Sequence, residues 1–494
     1  MRFCRIQVCS SLTRDELHRE TSRTQGLLTT RSEYDRLGRL HRRDVFTGNA
    51  QRPSPRRWSR RWDYDYRNNL VREERDDNPF SWYRWQYDSA GRLLVQDGTL
   101  PGQEQWRWDA AGNPLEGAAE NVTHNRLTQL NGIRWRYDIH GRTVEKDNGQ
   151  TRWHYRYDGE HRLTEVISQP RDRNKPQTQV SFRYDPLGRR ISKTRRQILG
   201  GQPTGKPVTT RFVWEGFRLL QEVHGDVPLT YVYSDQDSYD PLARIDGVNA
   251  PEIFWFHCQP NGTPERMTDI EGQVRWEGVN SAWGKLLRES ETQVSGYSQN
   301  LRMQGQYLDR ETGLHYNLFR YYDPDCGRFT QQDPIGLYGG LNLYSYAPNP
   351  LGWIDPLGLC KRGDPNATES IFRVQGGTPP NASRVRIKLD SANNPKIQRG
   401  TLNISIGDSS HAQHFLDIRG GNAEIVSFKV PKWMADFIEE SAIPQAGYRT
   451  NPLNQGGLAP KRVDPTTPGR SYELPSIWAE WLEEVAIPGS GNVK

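Results

Sequence analysis

A short unit, aromatic-x-aromatic-Asp-x-x-Gly-Arg, recurs along the first half of this chain and limits what it can fold into. Clear copies place Tyr34-Asp35 before Gly38-Arg39, Tyr87-Asp88 before Gly91-Arg92, Tyr137-Asp138 before Gly141-Arg142, and Tyr184-Asp185 before Gly188-Arg189. Degenerate copies lie at Tyr64-Asp65, at Trp108-Asp109 with Gly112, and at Tyr157-Asp158 with His161-Arg162; Tyr239-Asp240 is a further trace. Neighbouring copies stand roughly 20 to 30 residues apart, the size of one supersecondary unit. Aromatic and polar residues alternate in Trp135-Arg136-Tyr137 and Phe182-Arg183-Tyr184, which is a strand signal. Asp then opens a turn by bonding its own backbone, and Gly supplies a positive φ. One hairpin is too small to stand alone, so neighbours must add edge to edge. Over 1–299 the expectation is therefore a β-hairpin array that serves as scaffold.

Composition agrees with extensive sheet. A mean hydropathy of −0.89 would by itself suggest disorder. Sixteen Trp and 22 Tyr argue against it, being large and β-favouring. The net charge of +6 is small for 494 residues, and residues 360–494 carry 16 Lys and Arg against 14 Asp and Glu. Neither region demands a nucleic-acid partner on charge alone. The run Arg56-Arg57-Trp58-Ser59-Arg60-Arg61-Trp62 reads as a solvated face with aromatics packed beneath. Cys4, Cys9, Cys258, Cys326 and Cys360 are odd in number and lack metal spacing, which suits a reduced compartment without disulfides or a metal site. There is no run of about 18 apolar residues for a membrane-spanning segment. Met1 to Cys9 has no apolar signal-peptide core, so export would need another route.

The repeats end abruptly. Pro350-Leu351-Gly352-Trp353-Ile354-Asp355-Pro356-Leu357-Gly358-Leu359 closes them, and an earlier copy of its last part stands at Asp333-Pro334-Ile335-Gly336-Leu337. Upstream, Tyr307-Leu308-Asp309, Gly313-Leu314-His315-Tyr316-Asn317, Arg320-Tyr321-Tyr322-Asp323-Pro324 and Gly327-Arg328-Phe329 form a module over 300–359. This module and its P-x(4)-D-P-x-G-L ending resemble the core of Rhs proteins, the bacterial YD-repeat polymorphic toxins. The resemblance implies a mainly β fold, a spiral β-sheet wound into a hollow cocoon, followed by a small α+β toxin domain over 360–494. It also implies cleavage after Leu359 and contact-dependent competition between bacteria. The implied partners are a secretion apparatus, type VI with its spike or adaptor, and a cognate immunity protein. On this reading the protein is made in the bacterial cytoplasm, exported without a signal peptide, and its toxin acts in the target-cell cytoplasm.

Two carboxylates held close share a proton, so one can act as base toward water while the other donates. Asp333 and Asp355 stand one hairpin repeat apart and could face each other across neighbouring strands. They are the expected aspartyl pair for autoproteolysis of the Leu359–Cys360 bond, with Arg328 as a candidate orienting residue. The plainer alternative is that both cap Pro-containing turns. Cys360 has no neighbouring His to activate it and is taken as incidental.

Beyond the junction, 361–370 reads as linker; 371–377, 384–389, 402–406 and 424–430 read as strands; 431–442 and 475–487 read as helices with apolar faces. The order strand-Arg, strand-Ser, late acidic residue loosely resembles ADP-ribosyltransferase toxins. That resemblance implies NAD as cofactor, with Arg373 gripping its phosphates, Ser405 shaping the nicotinamide pocket, and Glu473 stabilising the oxocarbenium-like transition state; Gln445 is a rival for the last role. Glu473 could equally precede and cap the last helix. The competing expectation is a nuclease, RNase or DNase, with His411 and His414 as acid and base and Lys432 or Arg419 stabilising charge. A third is a non-enzymatic repeat scaffold with a binding tip.

Overall fold

The computed structural model of the chain describes residues 10–16, 19–48, 55–77, 79–99, 102–117, 121–235, 238–291, 296–336, 340–359, 368–431, 434–435, 438–439, 442–451, 454, 459–463 and 467–494. Cys4, Cys9, Cys360, Lys432, Trp433 and Phe437, and most of the expected linker, lie outside them. The chain divides into two compact units, Met1–Gly363 and Asp364–Lys494.

The first unit is mainly β. Among the described residues one antiparallel sheet has nine strands, from Ser10–Arg14 to Glu104–Gln105, and a second has fifteen, from Gln129–Leu130 to Leu286–Glu291. In both, every strand pairs with its neighbours in sequence. The repeat explains why. In Tyr34-Asp35, Asp35 Oδ1 accepts the amides of Leu37 and Arg39 at 2.9 and 3.0 Å, and Oδ2 accepts Arg39 Nε at 2.6 Å. The same set recurs at Asp88, Asp138, Asp158 and Asp185. Gly38, Gly91, Gly141 and Gly188 take the positive φ the turn requires, as does His161 in its degenerate copy. Arg then reaches onward: Arg39 Nη1 donates to Asp65 O at 2.9 Å and Arg142 Nη1 to Asp158 O at 3.2 Å. Its guanidinium also lies over the next aromatic ring, 4.9 Å from Tyr64 and 5.0 Å from Tyr157. Tyr reaches backward: Tyr64 Oη donates to Leu40 O at 3.0 Å, Tyr87 to Leu70 O at 2.6 Å and Tyr157 to Thr143 O at 2.9 Å. The Arg and Tyr side chains of the motif therefore join one hairpin to the next, while Asp closes its own turn.

The two sheets meet away from their sequence neighbours. Gln25 Nε2 donates to Phe256 O at 3.2 Å, Leu27 N to Ile270 O at 2.9 Å and an Arg43 nitrogen to Cys258 O at 2.9 Å. Here the Arg-rich run departs from expectation. It forms the strand Arg56–Tyr64, and alternation turns Arg60 inward with Trp58 and Trp62. Arg60 is buried, paired to Asp77 at 2.8 Å and Glu265 at 3.1 Å, while Arg56, Arg57 and Arg61 face solvent. Cys258 and Cys326 are free thiols. No helix among the described residues is long and apolar enough to cross a membrane.

The 300–359 module runs along the repeat turns in reverse order. Asn349 bonds Asn69, Asn342 bonds Ala111 O and Asn113, Tyr344 Oη donates to Gly141 O, Gln331 to His161 O, and the Phe319 ring covers Gly188. Its strands Tyr307–Asp309, Leu314–Asn317 and Arg320–Asp323 add Tyr307, Tyr316 and Tyr321 to a core with Phe182, Phe212 and Tyr231.

The second unit is α+β. Its main sheet places Arg470–Leu474, Leu402–Ile406, Thr368–Gln375 and Glu424–Pro431 side by side, all antiparallel. Of the strand expected at 384–389, only Ile387–Leu389 forms, paired with Pro395–Ile397 in a separate ribbon. Helix Ser410–Arg419 packs Ala412, Phe415 and Leu416 on Phe372 and Val374. Helix Ser476–Val485 buries Trp478 and Leu482, as its apolar face predicts. In 431–442, Met434, Ala435 and Ile438 are buried in helical backbone.

Candidate active sites at the junction and in the C-terminal unit

Both Asp-Pro-x-Gly-Leu segments fold as turns closed by their own Asp. Asp333 Oδ1 accepts Ile335 N at 3.1 Å, and Asp333 O accepts Gly336 N at 2.9 Å. Asp355 Oδ1 accepts Leu359 N at 3.0 Å, and Asp355 O accepts Gly358 N at 3.4 Å. Gly358 has φ +68°, and a Cβ there would stand 2.6 Å from Asn317 O, so both conformation and space require glycine. Both carboxylates thus cap their own Pro-containing turns, as the plainer of the two expectations has it.

The two carboxylates do not face each other across paired strands. Neither Asp lies in a strand; Arg320, on the strand Arg320–Asp323, brings them together. Arg320 Nη2 is 2.9 Å from Asp333 Oδ2 and 3.5 Å from Asp355 Oδ2, with all three side chains buried. Arg320 Nε donates to Gly358 O and Nη1 to Leu343 O at 3.1 Å. Its guanidinium also lies 3.6 Å from the Phe329 ring centroid. Asn317 Nδ2 donates to Asp355 O at 2.9 Å and Tyr346 Oη accepts Asp355 N at 3.3 Å. Burial, and then the Asp355 charge, push the Tyr346 phenol up, so it stays protonated. Arg328, the residue singled out from sequence, is engaged elsewhere, with Asn125 O and Asn342 Oδ1. The missed residue is Arg320. Its only sequence signal was a position beside Tyr321-Tyr322, which does not distinguish it from other strand arginines.

In the C-terminal unit, strand register separates the residues expected to bind NAD. Phe372 pairs with Ser405 and Ser405 with Ser471, while Asn403 pairs with Glu473. Directly paired residues share a face, and neighbours along a strand alternate. Ser405 and Glu473 therefore lie on the face that carries Phe372, and Arg373 lies on the opposite face with Ile371. Arg373 is buried and tied down: Nη1 donates to Asn403 O at 2.8 Å, and Nη2 to Arg384 O at 3.1 Å and Ser383 Oγ at 3.3 Å. Burial, then Arg419 and Arg386, lower it to about 10. Ser405 Oγ is buried without a partner among the described residues. Glu473 sits within the strand rather than capping the last helix, and pairs with Lys461 at 2.5 Å.

His411 and His414 flank Phe415 on the helix Ser410–Arg419, with ring centroids 4.8 and 5.3 Å away. His411 Nδ1 is 2.9 Å from Pro468 O, a partner that requires the proton on Nδ1 and makes Nε2 the basic nitrogen. Gly469 packs against His411 and Ser410, and Gly407 against the Arg470 guanidinium. The Arg470 guanidinium is paired with Glu439 at 2.6 Å. Arg419 ends the same helix, about 12 Å along the axis from His411, and donates to Val374 O. No group of three or more His, Cys, Asp or Glu able to hold a metal occurs among the described residues.

Residues 253–290 match the family model described as RHS protein. The chain is 43% identical over 377 residues to the double-stranded DNA deaminase toxin A of Burkholderia cenocepacia, covering 72% of this chain and 26% of that protein. It is 31% identical over 421 residues to the toxin protein Tse5 of Pseudomonas aeruginosa, covering 70% and 30%. It is 31% identical over 377 residues to the protein named "Probable deoxyribonuclease RhsB" of Dickeya dadantii, covering 72% and 24%. The chain spans less than a third of the length of these curated relatives. The matched share of this chain is about the size of residues 1–359 alone. The relatives' printed activities include DNA deamination and DNA cleavage, and none is ADP-ribosyl transfer. With the hairpin array, the two Asp-Pro-x-Gly-Leu turns and these matches taken together, the chain belongs to the Rhs family.

Proposed function

We propose that this chain is a self-processing Rhs toxin whose junction hydrolyses the Leu359–Cys360 bond and whose C-terminal unit acts on nucleic acid. The observation that carries the first half is the convergence of Asp333 and Asp355 on Arg320, with Asp355 also holding Leu359 N. Arg320 and the two turn bonds fix the backbone one residue before the bond to be cut. One carboxylate takes a proton from water as the oxygen adds to the Leu359 carbonyl. The other gives a proton to the Cys360 nitrogen as the C–N bond breaks, leaving a Leu359 carboxylate and a Cys360 amine.

For the C-terminal unit, the support lies in the relatives' nucleic-acid activities and in the separation of Arg373 from Ser405 and Glu473. His411, backed by Pro468 O, is the base we assign. Arg373, Arg386 and Arg419 form a second basic group in which no carboxylate ion-pairs with Arg373 among the described residues. Delivery by a secretion apparatus and neutralisation by an immunity protein complete the proposal.

The test is incubation of the self-processed protein with plasmid DNA, total RNA and NAD in parallel. Following strand length, base deamination and nicotinamide release, the expected result is altered nucleic acid with intact NAD. Nicotinamide release with intact nucleic acid would instead reinstate an NAD-consuming tip.

A further inference from the structure

One turn of the 300–359 module carries three buried hydrogen-bond donors that the described residues leave unused. Arg302 is 2% exposed. Its Nη1 donates to Leu301 O at 2.7 Å and Gln299 O at 3.4 Å, but Nε and Nη2 have no partner among the described residues. Gln306 closes the same turn, its carbonyl accepting Arg302 N at 3.0 Å. His315 Nδ1 is 2.8 Å from Gln306 Oε1. Burial, then Arg302, keep the His315 ring far below the usual histidine range and therefore neutral. Nδ1 accordingly carries the proton and donates to Oε1, which leaves Gln306 Nε2 as the free end of the amide; it too has no partner.

Arg302 and Gln306 both line a cavity walled by Trp214, Phe217 and Tyr233. Its free space is about 20 Å³, room for one compact guest. The nearby acids are already committed. Glu289 pairs with Arg310, and Glu222 accepts Tyr231, Tyr307 and His224. Burial, then Arg310, pull Arg302 down to about 9, and the Glu289 charge that opposes them is itself paired with Arg310. His315 Nε2 is also unpartnered, but it is an acceptor on a ring that does not line the cavity. Buried polar groups are normally satisfied, so three donors and a positive charge at one cavity call for an acceptor-only, negative guest.

We infer that this cavity is a binding site for a compact monoanion, of chloride or formate size, held by Arg302 Nε and Nη2 and Gln306 Nε2. The site adjoins the cleavage motif. Gly305, at φ +80°, lies so close to the Pro356 backbone that no side chain fits between them. An anion that fixes the 302–306 turn therefore braces the segment on which Asp355 rests.

The test compares thermal unfolding of the full-length chain in sodium chloride, sodium formate and sodium gluconate at equal ionic strength. Gluconate is too large for the cavity. A saturable rise in Tm with chloride and formate, absent with gluconate and lost in Arg302→Met, is expected. Crystals of the wild-type chain soaked in bromide should show an anomalous peak touching Arg302 Nη2, a readout that stands even where the variant does not fold. Equal Tm in all three salts, or a water in place of bromide, would overturn the site.

Discussion

The amide of Leu359 donates to Asp355 Oδ1 at 3.0 Å, so the residue proposed to lose its C-terminal neighbour is tied to a proposed catalytic carboxylate. Asp355 Oδ2 meanwhile shares Arg320 Nη2 with Asp333 Oδ2. One carboxylate thus holds the backbone with one oxygen and contacts the shared cation with the other.

Asp355→Asn and Asp333→Asn should each slow appearance of the two fragments by about 10² to 10⁴-fold, the usual contribution of a positioned acid or base. The measurement is a time course of intact mass after rapid purification. Wild-type cleavage in either variant would remove that residue from the chemistry.

Arg320→Met should cost more than cleavage. It leaves two buried carboxylates without their common cation, a loss of about 3–5 kcal/mol. Denaturant unfolding of the shell should show it. An unchanged midpoint would mean that the carboxylates find another partner.

Tyr64→Phe removes the bond to Leu40 O and should destabilise the shell by about 1 kcal/mol. Tyr66→Phe is the internal control, since Tyr66 is 84% exposed. Equal midpoints for the two variants would contradict the hairpin-to-hairpin role assigned to the repeat tyrosine.

His257 gives the shell an acid-sensitive term. Burial, then Arg266, hold it down at about 3 from a usual 6.5, with Thr268 Oγ1 3.0 Å from Nε2 and Trp58 edge-on. The unfolded chain takes up the proton first as pH falls. Stability is therefore full above pH 6.5 and drops by about 1.4 kcal/mol per pH unit below it, down to the folded value. Glu222, which hydrogen bonds from His224, Tyr231 and Tyr307 hold near 2 despite its burial, adds its own loss only below its usual 4.5. Unfolding free energies of wild type and His257→Gln between pH 6.5 and 4.5 should diverge by that slope. Parallel curves would contradict it.

In the C-terminal unit, His411→Ala should leave the fold intact and lower nucleic-acid processing by about 10² to 10⁴-fold. Arg373→Ala should instead lower thermal stability, because its guanidinium holds Asn403 O, Arg384 O and Ser383. Loss of activity in Arg373→Ala with unchanged Tm would restore a ligand-binding role.

The repeat, its turns and the change of character after Leu359 were legible in the sequence because each rests on local chemistry. Asp with its own backbone, Gly at positive φ and a period of two along a strand need no distant partner. Asp333 and Asp355 were legible because the same turn motif occurs twice. Arg320 was not: its role depends on a strand that meets both turns only after folding. The same limit applied to Arg60, whose partners Asp77 and Glu265 come from other segments, and to Arg373 and Ser405, whose relative sides follow from register between strands. Sequence determined which residues make turns and which alternate. Tertiary structure decided which buried charges meet, because that depends on pairing between segments tens to hundreds of residues apart.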